Sequence, residues 1–369
     1  MNILEEIQNC PVEWKELGDK NVSKLSRGKV MSKQFLEENK GEFPVYSSQT
    51  ANNGEIGRIS SFEYDGEYIT WTTDGANAGT VFYRRGKFSI TNVCGLVEIN
   101  NDQLLTKFVY YYLTISTKKY VSSGMGNPKL MSNVMGKIKI PIPPLEIQEK
   151  TVQILDKMTE YVTELTSELT SRKKQYSYYR DKLLSFEDEV YQVEWKKLGE
   201  VGKVSMCKRI LKNQTSDDGE IPFYKIGTFG KVATSYISRE LFEEYKLRFS
   251  YPKLGDILIS ASGTIGRTVV FNGEDSYFQD SNIVWLEHDE SQVLNRYLYY
   301  FYQMNPWKVS DGGTISRLYN GNIEKTTIPV PSLEIQSRIV QVLDNFDTVC
   351  NDLNIGLPKE IELRQKQYE

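Results

Sequence analysis

The sequence has few of the residues that build metal, redox or disulfide sites. It contains one histidine, His288, and four cysteines, Cys10, Cys94, Cys207 and Cys350, which lie far apart without a CxxC spacing. This content supports neither a disulfide framework nor a zinc site. A catalytic set of Ser, His and Asp or of Cys and His is also unsupported, since the single histidine lies in an acidic stretch. We interpret the cysteines as free, partly buried thiols.

Long hydrophobic runs and a targeting segment are missing as well. No stretch approaches the roughly 18 apolar residues of a membrane span. The first residues, MNILEEIQNCPVEW, lack the basic and then apolar layout of a signal peptide. We therefore expect a cytoplasmic protein. Its 369 residues, 39% of them hydrophobic, exceed one ordinary core and predict two or three domains.

What the sequence does contain is an internal repeat. VEWKELGD at 12–19 returns as VEWKKLGE at 193–200, and IPIPPLEIQEKTVQILDKM at 140–158 returns as IPVPSLEIQSRIVQVLDNF at 328–346. The offsets are 181 and 188 residues. The chain is therefore two copies of one unit. Each copy is a body that has diverged, followed by a long segment that has kept its pattern.

Each long segment has the spacing of a coiled-coil helix. Pro143 and Pro144 cannot lie inside a helix, so the first helix should begin near Leu145 and run for about 42 residues, roughly 63 Å. Apolar positions recur at steps of three and four, which predicts a heptad seam, and the second copy is its natural antiparallel partner. The first seam comprises Met158, Val162, Leu165, Leu169, Arg172, Tyr176, Tyr179, Leu183 and Phe186, and the second comprises Phe346, Cys350, Leu353, Leu357, Ile361, Arg364 and Tyr368.

The second long segment departs from the first. Gly356 and Pro358 fall inside its seam, and proline removes a backbone donor and clashes with the preceding turn. We expect this helix to break or kink near Leu357. The second copy also stops one residue after its RQKQY at 364–368, so either the last turns of its helix are missing or the protein tolerates a shortened second coil.

The bodies have the composition of β-sheet with one helix each. Segments 67–83 and 255–271 carry apolar and β-branched flanks around glycines, which predicts strand, turn and strand in both. Tyrosine-rich amphipathic helices should follow at 104–115 and 294–304. Their aromatic rings could stack on bases, but packing of the helix face against a sheet is favoured. The tyrosines concerned are Tyr110, Tyr111, Tyr112, Tyr299 and Tyr300.

This arrangement resembles a known family over nearly the whole chain. Two divergent bodies, each closed by I-P-[IV]-P-x-L-E-I-Q leading into a coiled-coil helix, with G-T-I-G-R in the second body, are similar to the specificity subunits of Type I restriction-modification systems. The resemblance implies an α+β fold with two β-rich target recognition domains, separated by long helices that form an antiparallel coiled coil in a pseudo-twofold repeat. The expected domains are a first recognition domain at 1–140, a central spacer helix at 141–192, a second recognition domain at 193–328 and a shortened C-terminal spacer helix at 329–369.

The resemblance also implies partners. Each recognition domain would read one half of a bipartite site in double-stranded DNA. The helices would dock two adenine methyltransferase subunits and, through them, the restriction subunits. No cofactor is expected in this chain, and S-adenosylmethionine would bind the methyltransferase partner.

The net charge of −4 at first argues against DNA, because neutralisation of phosphates dominates DNA binding. Residues 12–140, however, hold 17 basic and 13 acidic side chains, residues 193–328 hold 17 of each, and the remainder holds 11 basic and 19 acidic. The acidity therefore lies on the helices and ends. Methyltransferase partners are expected to supply part of the phosphate contacts.

Polar and basic residues of the predicted loops are the candidates for DNA contact. Asn and Gln suit adenine, and Arg and Lys suit guanine or phosphate. Loops of this composition can equally be solvated turns, and each basic residue can be an ordinary surface charge. The candidates are Ser47, Gln49, Asn52, Asn53, Thr73, Asp74, Asn77, Arg84, Arg85, Lys129, Lys225, Thr228, Ser262, Thr264, Arg267 and Arg317.

An enzyme is not expected. The sequence has neither the Asp/Asn-Pro-Pro-aromatic motif nor the Gly-rich loop of an adenine methyltransferase. Glu-x-Lys occurs at 13–15 and 194–196, as in nucleases, but without an acid just upstream. We assign both motifs a structural role in which the tryptophan caps the body against the helix. Two other readings stay open: a coiled-coil scaffold whose bodies bind protein or glycan, and a fragment of a fused restriction enzyme.

Overall fold

A computed structural model describes residues 3–122, 126–186, 193–308 and 317–368. The chain forms two compact units, Met1–Glu164 with Glu362–Glu369, and Leu165–Ile361. Both units combine β-sheets with helices, and a helix of 41 residues, Leu145–Ser185, runs from the first unit into the second. The fold is α+β, as the repeat and the family resemblance predict.

The first unit is built on a six-stranded sheet with the order β2-β7-β5-β6-β3-β4 and a two-stranded ribbon of β1 and β8. All neighbours are antiparallel except β3 and β6, which are parallel. The strands are β1 (Glu13–Glu16), β2 (Ser23–Arg27), β3 (Lys40–Tyr46), β4 (Glu55–Ile59), β5 (Tyr64–Thr72), β6 (Val81–Ile90), β7 (Cys94–Ile99) and β8 (Lys139–Ile142).

The β5–β6 hairpin confirms the predicted strand, turn and strand at 67–83. Its connection uses two glycines with positive φ, Gly75 at 97° and Gly79 at 82°. A side chain at Gly79 would also lie 2.8 Å from Val121, so both conformation and space require glycine there. The turn therefore folds back tightly against the segment that follows the body helix.

The helices of the first unit cover the sheet and lead into the long helix. They are α1 (Ile3–Asn9), α2 (Lys33–Glu38), α3 (Thr106–Ser116), α4 (Ser132–Met135) and α5 (Leu145–Ser185). α3 is the predicted tyrosine-rich helix, and its Tyr111 is buried while Tyr110 packs at the edge of the core that includes Trp71 and Leu113. Packing, rather than base stacking, is confirmed for these two rings.

The second unit divides its strands among smaller sheets. A four-stranded sheet has the order β10-β16-β13-β14, a three-stranded sheet has the order β12-β11-β15, and β9 pairs with β17. The hairpin of β13 and β14 confirms the prediction for 255–271. The strands are β9 (Glu194–Lys197), β10 (Lys203–Ser205), β11 (Ile221–Tyr224), β12 (Tyr236–Ile237), β13 (Ile257–Ser260), β14 (Thr268–Val270), β15 (Tyr277–Phe278), β16 (Ile283–Glu287) and β17 (Thr327–Val330).

Helices of the second unit repeat the plan of the first. They are α6 (Leu198–Val201), α7 (Arg239–Arg248), α8 (Asn295–Gln303), α9 (Asn320–Lys325), α10 (Leu333–Asn351) and α11 (Leu357–Tyr368), which continues into the first unit. α8 is the second tyrosine-rich helix, and its Tyr300 is fully buried while Tyr299 is partly buried. These rings belong to the core, as predicted.

The predicted seam of α5 is visible in its burial. Tyr176 is buried, and Met158, Val162, Leu165, Leu169, Leu183 and Phe186 are half-buried, whereas Arg172 and Tyr179 are exposed. In the second unit the Tyr179 ring stacks on Phe346 at 5.7 Å, and Cys350 lies near Arg172. Partner numbers fall as α5 numbers rise, so α5 and α10 run antiparallel there.

The second helix breaks as predicted, but the assignment of Leu353 to its seam is wrong. α10 ends at Asn351 and α11 begins at Leu357, so Leu353 lies in the link and is 71% exposed. Pro358 occupies the first turn of α11, where a missing N–H removes no hydrogen bond. A side chain on Gly356 would lie 2.4 Å from the Thr348 carbonyl oxygen, so only glycine fits beside the end of α10.

The two tryptophans of the repeated EWK motif lie in two-stranded ribbons and cover the bodies less completely than the capping role assigned to them implies. Trp14 pairs with Pro141 in the β1–β8 ribbon and Trp195 pairs with Pro329 in the β9–β17 ribbon. They are 55% and 54% exposed. Period-two alternation in a two-stranded ribbon turns one face away from the core. The Trp14 ring still packs edge-on against Tyr112 of α3, with the ring centroids 6.2 Å apart, so it contacts the body on one side.

The cysteines are free thiols, as predicted. Cys94, Cys207 and Cys350 are buried, and Cys10 is partly buried. Burial raises the pKa of Cys94 to about 12 and that of Cys207 to about 12. These thiols are therefore neutral packing groups at ordinary pH.

Candidate nucleic-acid interface

Loops from distant parts of the first body meet in one cluster. The β3–β4, β5–β6 and β6–β7 connections and the segment before α4 take part; we call residues 47–54, 73–80, 91–93 and 126–130 the first loop cluster. Asn77 Nδ2 donates to Thr50 Oγ1 at 3.1 Å, and Thr91 Oγ1 donates to Ser47 Oγ at 2.9 Å. The Leu130 N–H donates to the Thr73 carbonyl at 2.9 Å. The fold thus brings together three loops that the sequence nominated separately.

Several nominated residues of this cluster offer polar groups to solvent. Gln49, Asn52, Asn53, Asn77 and Lys129 are exposed, while Ser47 and Asp74 are half-buried. Asn52 and Asn53 have left-handed backbones, with φ of 48° and 51°. Such strained positions are frequent in ligand-contacting loops, and asparagine tolerates them better than most residues.

Two nominated residues lie inside the body, which corrects their assignment as DNA contacts. Thr73 is fully buried, and its hydroxyl donates to the Val93 carbonyl at 2.9 Å. Arg84 is 6% exposed. Its Nη2 donates to the Asn53 carbonyl at 2.7 Å, and its guanidinium lies 3.6 Å from the Tyr46 ring centroid.

The cause of the Arg84 burial is the alternation of strand β6, which sends Arg84 inward and Arg85 outward. Arg85 is exposed in the middle of the strand, where Nε lies 3.7 Å from Glu67 Oε1. Burial lowers the pKa of Arg84. Arg84 therefore supports the loop that carries Asn53, and it does not reach out to a ligand.

The structure adds a residue that the sequence reading missed. Arg27, at the end of β2, is exposed beside the first loop cluster, and its Nη2 donates to Thr73 Oγ1 at 2.9 Å. The next residue is Gly28, where a side chain would lie 1.9 Å from the Ile90 carbonyl oxygen. The signal was the run Arg-Gly-Lys at 27–29, in which glycine permits close approach of two backbones.

The second body brings its nominated loops together in the same way. We call residues 225–228, 261–267, 279–282 and 317–318 the second loop cluster. Ser262 Oγ donates to Asn282 Oδ1 at 2.8 Å, and Arg317 Nη2 donates to the Ser281 carbonyl at 2.7 Å. The Ile226 N–H donates to the side chain of Gln279 at 3.0 Å. Gln279 and Asn282 were not nominated, because nothing in the sequence marks the β15–β16 connection as part of the cluster.

The nominated residues of the second loop cluster differ in their exposure to solvent and in their hydrogen bonds within the body. Lys225 and Thr264 are exposed, and Thr228, Ser262, Arg267 and Arg317 are half-buried. Lys225 Nζ donates to Ser235 Oγ at 2.7 Å, and Arg267 Nη1 donates to the Phe229 carbonyl at 3.0 Å. The cations of this cluster therefore hold its loops as well as carrying charge.

The two clusters are built on one frame. Leu130 donates its N–H to the Thr73 carbonyl at 2.9 Å, and Leu318 donates its N–H to the Ala261 carbonyl at 2.9 Å. Both residues of the second pair lie 188 positions after those of the first. Lys129 and Arg317, each just before its leucine, therefore occupy equivalent positions.

Within residues 3–122, 126–186, 193–308 and 317–368, no three His, Cys, Asp or Glu side chains are grouped so as to hold a metal ion. In the same part of the chain, none of the helices has the length and apolar character needed to cross a membrane.

Comparison with known proteins gives a consistent family. The family model "Type I restriction modification DNA specificity domain" matches twice, at residues 11–172 and 192–363. A protein named as a type I restriction enzyme specificity subunit of Haemophilus influenzae is 47% identical over 98% of this chain and 94% of its own length. A protein named as a type I specificity subunit of Mycoplasma pneumoniae is 32% identical over 95% of this chain and 94% of its own length.

Solved structures agree at the level of the fold. The S subunit of a Type I restriction-modification system from M. genitalium superposes with a TM-score of 0.59 at 16% identity, covering 98% of this chain and 94% of that one. A chain from a structure of the assembly and conformational transition of the type I R-M system gives 0.60 at 17% identity, covering 98% and 96%. Because the family model and relatives at 30% identity or more span nearly the whole sequence, the chain belongs to the family of Type I restriction-modification DNA specificity subunits.

Proposed function

We propose that this protein reads a bipartite site in double-stranded DNA, with one body on each half-site. The observation that carries the proposal is the pair of loop clusters: one backbone frame occurs twice and holds different side chains. A backbone frame that occurs twice is suited to bind the DNA backbone in the same way at two places. Different side chains on the two frames are suited to read two different base sequences.

In the first body, the exposed amides of Gln49, Asn52, Asn53 and Asn77 are suited to adenine edges, and Lys129 to guanine or phosphate. In the second body, Lys225, Thr264 and Arg317 have the corresponding chemistry. Ser47, Asp74, Thr228, Ser262 and Arg267 are proposed to shape the loops next to the DNA. Arg85, which is exposed but in the middle of a strand, is proposed as a phosphate contact only.

The recognition domains are proposed to span 1–140 and 193–328, with spacer helices at 141–192 and 329–369. Methyl transfer and cleavage are assigned to partner subunits, with S-adenosylmethionine bound by the methyltransferase. The complex is proposed to act on DNA in the cytoplasm.

Two methyltransferase subunits are proposed to dock on the helices. Support comes from a groove in the second unit between α5 and α10 that has an apolar floor. Val342 and Val349 are 44% and 42% exposed there, although they lie on a helix. The groove is lined by Glu168, Arg172, Val342, Asn345, Phe346, Val349 and Leu357. The acidic excess outside the bodies lies in the same segments.

The docking proposal has a direct test. Val342→Asp should reduce the amount of methyltransferase that co-purifies, because it puts a charge on the apolar floor. Gln341→Asp, at the adjacent exposed position, should not. Light scattering of the co-expressed wild-type complex should give two methyltransferases per chain, and a complex that never exceeds one would contradict the proposed stoichiometry.

The DNA proposal is tested by mapping methylated adenines across the genome with this gene present and deleted. A bipartite motif that is methylated only when the gene is present would support it. Unchanged methylation in the deletion strain, with the methyltransferase genes still expressed, would contradict it.

A further inference from the structure

A buried glutamine joins the first body to the start of its long helix. The Gln148 side chain, in the first turns of α5, is fully buried. Its Nε2 donates to the carbonyl oxygens of Gln103 and Pro143, both at 2.8 Å. Its Oε1 accepts the Leu105 N–H at 2.9 Å. Gln103 and Leu105 immediately precede α3, so one amide ties the body helix to the long helix.

The second unit contains the same contact. Gln336, also fully buried, donates from Nε2 to the Gln292 carbonyl at 2.7 Å and to the Pro331 carbonyl at 2.8 Å. Its Oε1 accepts the Leu294 N–H at 2.9 Å, just before α8. Gln336 follows Gln148 by 188 residues, the offset of the repeat.

A carboxylate makes a second tie two helical turns further along. In the first unit, Asp156 accepts the Tyr111 hydroxyl at 2.5 Å and Lys107 Nζ at 2.8 Å, and both donors lie on α3. In the second unit, Asp344 accepts the Tyr300 hydroxyl at 2.5 Å and Arg296 Nε at 2.6 Å, and both donors lie on α8. We call Gln148 with Asp156, and Gln336 with Asp344, the first and second clamps.

The clamps resist movement of a body on its helix. Two ties eight residues apart oppose rotation as well as sliding. A shift of the body would separate the fully buried amide from its three backbone partners and leave its polar atoms unsatisfied. The carboxylate ties are charge-assisted and therefore stronger than neutral ones.

The clamps are more similar between the two copies of the repeat than the loop clusters are, and this difference indicates their role. The side chains of the loop clusters differ between the two bodies, whereas the clamps repeat group for group, with only Lys107 changed to Arg296. A feature that both halves share cannot specify two different base sequences. It can determine the position of each loop cluster relative to the long helix that the body is attached to.

We propose that the two clamps are positioning elements that fix the number of base pairs between the half-sites. This inference rests on the proposed function. The four clamp residues touch no DNA in this proposal, so they act on the spacing of the half-sites and not on their sequences.

The experiment uses the full chain with its methyltransferase and a DNA library in which both half-sites are kept and the spacer length varies. Asp156→Asn and Asp344→Asn keep the shape of the side chain but remove its charge, and Gln148→Ala removes a whole tie. We expect methylation at spacers one base pair too short or too long, relative to the cognate spacer, to rise by at least about tenfold, equivalent to about 1.4 kcal/mol of discrimination. The preferred half-site sequences should not change.

Glu334→Gln is the matched control, because its partner Arg338 lies one turn away on the same helix and both side chains are exposed. Thermal unfolding identifies variants that remain folded. If Gln148→Ala does not fold, the two Asp→Asn variants decide. Strict spacer preference in folded clamp variants would overturn the inference, whereas wild-type protein without any bipartite preference would overturn the proposed function instead.

Discussion

In the second unit the Tyr176 hydroxyl donates a hydrogen bond of 2.7 Å to Oε1 of Gln303. The bond connects the long helix α5 to the end of the body helix α8. Burial raises the pKa of Tyr176, so the phenol stays protonated and remains a donor at neutral and moderately basic pH. A residue chosen from the heptad pattern thus makes a polar contact with the body.

Tyr176→Phe should destabilise the second unit modestly. It removes the donor and leaves the Gln303 oxygen without it, which costs about 1 kcal/mol and lowers the melting temperature by about 2–4 °C for a unit of this size. Tyr178→Phe is the control, since Tyr178 is 61% exposed on the same helix. Equal melting temperatures for both variants would show that the bond contributes nothing.

Replacing each of the two adjacent arginines of β6 should change the free energy of unfolding by very different amounts. Arg84→Ala removes a buried guanidinium and its bonds to Thr70 and Asn53, and should lower the free energy of unfolding by about 2–4 kcal/mol. Arg85→Ala removes an exposed side chain and should change it by no more than about 0.5 kcal/mol. Urea unfolding of both variants measures this, and similar losses would contradict the assigned strand faces.

Lys129 and Arg317 should act on different half-sites. If each contacts a base, Lys129→Ala should weaken binding by about 1–3 kcal/mol and relax specificity at one position of the first half-site, and Arg317→Ala should do so in the second. Lys24→Ala, at an exposed position on β2 beside Glu98, is the control. Binding measured on single-base variants tests this, and a Lys129→Ala effect confined to the second half-site would refute the assignment.

The length of α5 should set the spacer. Four residues inserted after Leu165 add about 6 Å to the helix, or one to two base pairs of DNA at about 3.4 Å each. The heptad seam tolerates such a stutter. An insertion of four residues after Asp217, in an exposed loop, is the control. Adenine methylation mapping should show a longer spacer with the same half-sites, and an unchanged spacer in a folded, active variant would mean that the helix does not determine it.

The repeat and the helix periodicity predicted most of the architecture, because both are properties of the chain read in order. Spacing by three and four predicted the helix α5, Pro143 and Pro144 predicted its start near Leu145, and Gly356 with Pro358 predicted the break in the second helix. The assignment of Leu353 to the heptad seam was wrong, because a heptad count continues through the link between α10 and α11, where the chain is not helical. The capping role of the two ribbon tryptophans holds only in part, because a two-stranded ribbon leaves about half of each indole exposed.

The candidate site was harder to predict, because it depends on which loops meet. Arg84 and Arg85 are indistinguishable in composition, and only the sheet decides which one points inward. Gln279 and Asn282 were missed for the same reason. Gln148 and Gln336 could have been found: LEIQ occurs in both copies, and a polar residue repeated within an apolar pattern indicates a buried hydrogen bond.

The most direct test of the central claim is adenine methylation mapping with a chimaera in which residues 12–140 are replaced by the first body of another family member. Each body begins and ends at repeated joints, and each loop cluster is internal to one body. We therefore predict that one half of the methylated motif changes while the other half and the spacer stay the same. If both halves change together, or if neither does in a chimaera that still methylates DNA, the two bodies are not independent readers of a bipartite site.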